Sequence, residues 1–261
     1  MTSIAHAAPR LDAGRLRLAL YGALVPAVAV AEALAAVGAV GAALAIDMAL
    51  VVGLANGALF VRSRATAKLL CVLALVPLIR PVGMAMSFDV VPREYWPALA
   101  GAPLLVAAVW AARTIDFLLA DRLLRARARR MRLAAVSSPL LGLGVYLAAG
   151  PPKPALAAPG LLLAAMGLAL FAAPAQEILF RGVLQRLVAE TFGPRTVVLV
   201  ILNGLYAATL LGVSLAFAFY MGAVAMAFSM FVRRTGALGE VVVAHAGLSV
   251  FGLLLWPLVF E

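Results

Sequence analysis

Glu177 and Arg181 stand four residues apart, and so do His245 and Ser249, in a chain with few other charged or polar groups. That spacing puts each pair on one side of a helix. A carboxylate can accept a proton and an imidazole can accept or donate one near neutral pH, which makes Glu177 and His245 candidates for acid–base chemistry. Gln176 directly precedes Glu177; its amide can hold a water molecule but cannot take up a proton. Each pair also has a plain structural reading: an intrahelical salt bridge for Glu177–Arg181, and a helix–helix hydrogen-bonding pair for His245–Ser249. The chain holds two histidines, and the other, His6, lies in the polar N-terminal tail. Between the two pairs, "ILNGLYAATLLG" contributes Asn203, Tyr206 and Thr209, none of them an evident acid, base or ligand.

The elements that position these residues follow from composition. Of 261 residues, 66% are hydrophobic and only 12% charged, and the mean hydropathy is +1.09. A soluble domain carries about a quarter charged residues. Apolar runs of about 20 residues, enough to cross a bilayer, recur along the chain. They lack the period-2 alternation of an outer-membrane barrel, so the expected fold is all-α: a polytopic transmembrane helical bundle. The net charge of +10 fits basic cytoplasmic loops and points to no nucleic acid. The densest stretch, Arg122 to Arg132 (RLLRARARRMR), reads as a topology signal and as the place where anionic lipid would be attracted. One cysteine, Cys71, excludes an intramolecular disulfide and any cysteine-based metal site.

Spans are expected near residues 18–44, 47–61, 69–88, 98–119, 133–150, 156–176, 196–212, 214–232 and 240–258. With the N-terminus cytoplasmic, this parse collects Arg62, Arg64, Lys68, the Arg122–Arg132 run, Arg181, Arg186, Arg195, Arg233 and Arg234 inside, and places Asp47, Asp89, Arg93, Glu94 and Lys153 outside. About eight to nine spans satisfy the positive-inside rule. Leu18 to Ala31 also has the form of a signal-peptide core, but the apolar character resumes at once and favours an uncleaved first span. The expected organisation is a cytoplasmic tail at 1–17, N-terminal transmembrane helices at 18–150, and a C-terminal core at 156–261, with "GPPKP" as the linker. Glu32 within the first span and Arg80 between Pro77 and Pro81 are costly inside a membrane, and each needs a partner or a polar cavity.

Three segments together resemble the CPBP family, the CAAX prenyl endopeptidases and bacteriocin-processing (Abi-type) intramembrane proteases. Its Glu-Glu-x-x-x-Arg motif reads here as "QEILFRG", its Phe-x-x-x-His motif most plainly as "LYAAT", and its His-x-x-x-Asn motif as "HAGLS", with "RRTG" upstream. The resemblance covers residues 158 to 258; the N-terminal half carries no diagnostic motif. It implies an integral protein, of the cytoplasmic membrane of a prokaryote, that holds a membrane-embedded or lipid-modified peptide in an intramembrane cavity. It also implies a site at Gln176, Glu177, Arg181, Thr209, His245 and Ser249. In the family the first Glu activates water, while the histidines and Asn position that water and stabilise the oxyanion. Here Gln176, Thr209 and Ser249 stand at three of those four positions and only His245 is retained. The second motif also admits a shifted alignment that gives the role to Asn203 or Tyr206.

Chemistry separates the outcomes. Gln176 cannot serve as a general base, whereas Thr209 and Ser249 can donate hydrogen bonds to an oxyanion. One step along a helix turns a side chain by about 100°, so Glu177 is not expected to stand in for the missing carboxylate. His245 and Glu177 fall short of the three protein ligands usual for zinc, and no cofactor is expected. The expected function is therefore a CPBP-type homologue with impaired or lost peptidase activity. The alternatives are a non-catalytic scaffold, chaperone or immunity protein using the same cavity, or a transporter-like protein marked by Glu32, Asp47 and Arg80.

Overall fold

The computed structural model describes residues 20–79, 91–115, 127–193 and 195–260. Arg80, the N-terminal tail and the first part of the Arg122–Arg132 stretch lie outside the described residues. The described residues form helices joined by short turns and loops, with no strand. In chain order the helices are α1 (Val25–Ala36), α2 (Val40–Phe60), α3 (Arg64–Leu73), α4 (Trp96–Thr114), α5 (Ala128–Ala149), α6 (Ala158–Phe192), α7 (Thr196–Ala208), α8 (Leu215–Thr235) and α9 (Gly239–Phe260). Six of them (α2, α4, α5, α6, α8 and α9) are long and apolar enough to cross a bilayer, and α7 is a shorter apolar helix. The protein is an integral membrane protein with a polytopic helical fold.

The surface of the bundle bears this out. Val106, Leu133, Val136, Leu140, Leu147 and Phe219 are all exposed, a ring of large apolar side chains that suits lipid rather than water. The core is drawn from both sides of the "GPPKP" linker, with Leu69, Ala108 and Val145 packed in one cluster with Leu179, Leu184, Leu205 and Leu248.

Basic residues gather at one end of the bundle. Lys68 near the start of α3 donates to the Thr114 carbonyl at the end of α4 (2.6 Å). Arg127, capping α5, donates its backbone N–H to Glu240 in the first turn of α9 (3.2 Å). Arg233 at the end of α8 reaches Thr196 at the start of α7 (3.3 Å). At the opposite end Glu94 accepts from the Ala155 N–H (3.0 Å) and Ser214 donates to the Ala148 carbonyl (2.8 Å). The helices therefore alternate in direction, as the charge distribution requires.

Two boundaries differ from expectation. Asp47 was placed in an outer loop, but the break between the first two helices falls at Gly38, whose φ of 83° only glycine adopts readily. Asp47 consequently lies inside α2 and is buried. Nor does the sixth helix end near residue 176: α6 runs for 35 residues, roughly 50 Å at 1.5 Å per residue. Pro174 does not interrupt it because Leu168–Ala172 forms a π-helical turn. Widening that turn relieves the clash between the proline ring and the carbonyl four residues back. A second π-helical stretch, Ile178–Leu184, carries Arg181 and Gly182.

Helices α5 and α9 cross closely because both carry glycine at the contact. A Cβ on Gly142 would sit 2.5 Å from the Phe251 Cβ, and one on Gly252 would sit 2.5 Å from the Val145 Cβ. Small residues of this kind let membrane helices pack through their backbones. Gly252→Val is expected to cost about 1–3 kcal/mol through overpacking, read as a lower melting temperature in detergent. An unchanged melting temperature would contradict the packing described here.

Candidate active site

Helix α6 carries Gln176, Glu177 and Arg181, and α9 carries His245 and Ser249. The helices meet so that His245 Nδ1 lies 2.6 Å from Glu177 Oε1. Arg181 Nη1 lies 3.3 Å from the same oxygen. Glu177 is fully buried, and Arg181 and His245 are nearly so. A buried carboxylate persists only when paired, and here it has a cation on one side and an imidazole on the other. An ionised carboxylate only accepts hydrogen bonds, so Nδ1 carries the proton in this contact. That tautomer leaves Nε2 of a neutral imidazole as an acceptor, the arrangement by which a carboxylate orients a histidine for proton transfer.

Arg181 is held from three directions. Besides Glu177, its Nη2 donates to Asn203 Oδ1 (3.4 Å), and its guanidinium carbon lies 4.8 Å from the centre of the Tyr206 ring, within cation–π range. Asn203 in turn donates to the Leu199 carbonyl (2.8 Å) and to Ser229 Oγ (3.0 Å). Gln185 donates to the Ser229 carbonyl (3.1 Å). These groups join α6, α7 and α8 through one buried polar network.

Gln176 is half-buried, and its amide oxygen accepts from the Tyr206 hydroxyl (2.9 Å). Gln176 and Tyr206 line two cavities. The first, of about 220 Å³, also takes in His245 and Ser249 among apolar residues such as Leu168, Phe217 and Leu253. The second, of about 290 Å³, takes in Thr209 together with Glu32 and Asp47. Thr209 thus reaches Gln176 but not the cavity lined by His245, and its hydroxyl donates to the Tyr206 carbonyl (2.7 Å). Tyr206, which the "LYAAT" alignment passed over, is the α7 residue common to both cavities.

Sequence reasoning reached three of these features only in part, Tyr206 through a shifted alignment of the second motif and Asp47 as one of the charges marking a transporter-like alternative. The Glu177–His245 contact joins residues 68 positions apart. Tyr206 lacked any acid–base or ligand signal of its own. Asp47 was hidden by an alanine-rich stretch with no visible helix boundary. Glu32, by contrast, was flagged by its charge alone, and it does line a polar cavity. Among the described residues no group of three or more His, Cys, Asp or Glu side chains is placed to hold a metal ion.

The buried carboxylate–imidazole pair thus stands beside a largely apolar cavity of about 220 Å³ within the helical bundle. Residues 158–251, less than half of the chain, match the family model described as "Type II CAAX prenyl endopeptidase Rce1-like", so this segment is similar to an intramembrane protease-type fold. Neither a curated protein nor a solved structure matches the chain.

Proposed function

We propose that this protein is a CPBP-type homologue that holds a membrane-embedded or lipid-modified peptide in the cavity of Gln176, His245 and Ser249, with peptidase activity impaired or lost. A prokaryotic cytoplasmic membrane is the setting that this reading implies. The observation that carries it is the amide at 176. Gln176 occupies the place of the family's water-activating carboxylate, faces the cavity, and is engaged by the Tyr206 hydroxyl. It can orient water or a peptide group but cannot remove a proton. The rest of the cavity wall suits an apolar ligand with a few polar anchors.

One observation favours a second reading. Glu177 orients His245 as a carboxylate orients the base of a hydrolytic triad. In that case His245 would itself take the proton from water, Gln176 and Ser249 would hold the developing oxyanion, and slow hydrolysis would persist.

Peptide binding is tested by photo-crosslinking. With a photoreactive residue at Leu253 and a prenylated or transmembrane peptide in proteoliposomes, we expect crosslinks from Leu253 that excess unlabelled peptide suppresses. The same probe at lipid-facing Phe219, which is 72% exposed, is the control. Equal crosslinking at both positions would overturn the binding proposal.

A further inference from the structure

A separate cavity of about 300 Å³ opens at the basic end of the bundle, between the end of α6, the start of α7 and the end of α8. Four arginines line it, Arg181, Arg186, Arg195 and Arg233, and no carboxylate does. Arg186 is already paired with Glu190 (2.7 Å), and Arg195 and Arg233 are exposed at the rim. At the inner wall Arg181 is 3% exposed and its Nε has no hydrogen-bond partner. Beside it Gln185 is also buried, with its amide held through Ser229.

A buried guanidinium N–H without an acceptor costs free energy that a bound oxyanion would recover. The start of α7 adds the positive end of a 13-residue helix at the same rim. Gly193 and Gly236, at φ of 81° and 68°, turn the chain at the mouth without side chains that would close it.

Depth identifies the anion. From Ala158 at the opposite end, about 20 helical residues span the hydrocarbon core, so Arg181 to Arg186 fall at the headgroup level. Valines 188, 198 and 232 form an apolar wall inside the pocket, and Val197 and Val200 are exposed on the outer side of α7, where acyl chains would run. We infer that this pocket binds a phosphate group, supplied by an anionic phospholipid or by free phosphate. The site shares no lining residue with the peptide cavity and does not rest on peptide binding or cleavage.

The test is native mass spectrometry of the full chain in detergent with added phosphatidylglycerol or phosphatidylcholine. Phosphatidylglycerol is expected to be retained in preference. Replacing two rim residues, Arg195→Gln with Arg233→Gln, is expected to lower its retention by roughly tenfold or more, the worth of one or two charge-assisted hydrogen bonds. A control pair, Arg62→Gln with Arg64→Gln on exposed positions at the start of α3, is expected to leave it unchanged. Displacement of the lipid by millimolar inorganic phosphate would assign the pocket to the phosphate group itself. Resistance to displacement would assign it to the lipid as a whole. Unaltered retention in the rim pair, or an equal loss in the control pair, would overturn the proposal.

Discussion

Glu177→Ala is expected to destabilise the protein by about 3–5 kcal/mol, the usual result of removing one partner of a buried charged pair. The carboxylate is fully buried, and one of its oxygens meets both His245 Nδ1 and Arg181 Nη1. Without it Arg181 would keep a buried positive charge with Asn203 Oδ1 and the Tyr206 and Phe180 rings, but no carboxylate, to oppose it. His245 would lose the acceptor that fixes its tautomer. Unfolding in detergent, followed by intrinsic fluorescence against temperature, reads the effect. Glu177→Gln preserves shape and one acceptor oxygen and should lose less. If both variants melt with the wild type, the Glu177–Arg181–His245 cluster is not a unit of the folded core.

A gain of function is the second large effect. Gln176→Glu, installed with Thr209→His and Ser249→Asn, is expected to raise peptide hydrolysis by about 10²–10⁴-fold over the unmodified chain, the usual contribution of a positioned general base. The site is prepared for the exchange. The Tyr206 hydroxyl that donates to the Gln176 amide oxygen would donate equally to a carboxylate there. Asn at 249 enters the cavity shared with His245, and His at 209 approaches residue 176 from the neighbouring cavity. Rates measured with labelled prenyl or transmembrane peptides check the expectation. A triple variant that folds and yet stays at the wild-type rate would mean that position 176 is not where water is activated.

The sequence made local relations legible and left remote ones hidden. Four-residue spacing announced Glu177–Arg181, and the salt bridge is present at 3.3 Å. Hydropathy announced the helices, and the alternation of basic ends followed from charge. What stayed hidden depended on how helices pack. Nothing in "QEILFRG" or "HAGLS" says that Glu177 rather than Ser249 is the partner of His245. Glu177 therefore read as a framework residue, whereas in the fold it also meets His245. Tyr206 was obscured for a different reason: a tyrosine in an apolar helix declares no chemistry until its hydroxyl finds an acceptor. Helix ends misled where composition was uniform, as at Asp47, and where a π-helical turn let α6 pass through Pro174.

The choice between an amide that has silenced the site and a Glu177-oriented His245 that keeps it working reduces to one measurement. Purified wild-type protein and His245→Ala are incubated side by side with labelled prenylated or transmembrane peptides, and product is followed by mass spectrometry. The amide at position 176 predicts no cleavage above background by either protein. Cleavage by the wild type that disappears in His245→Ala would contradict that account and establish His245 as the base of a working protease.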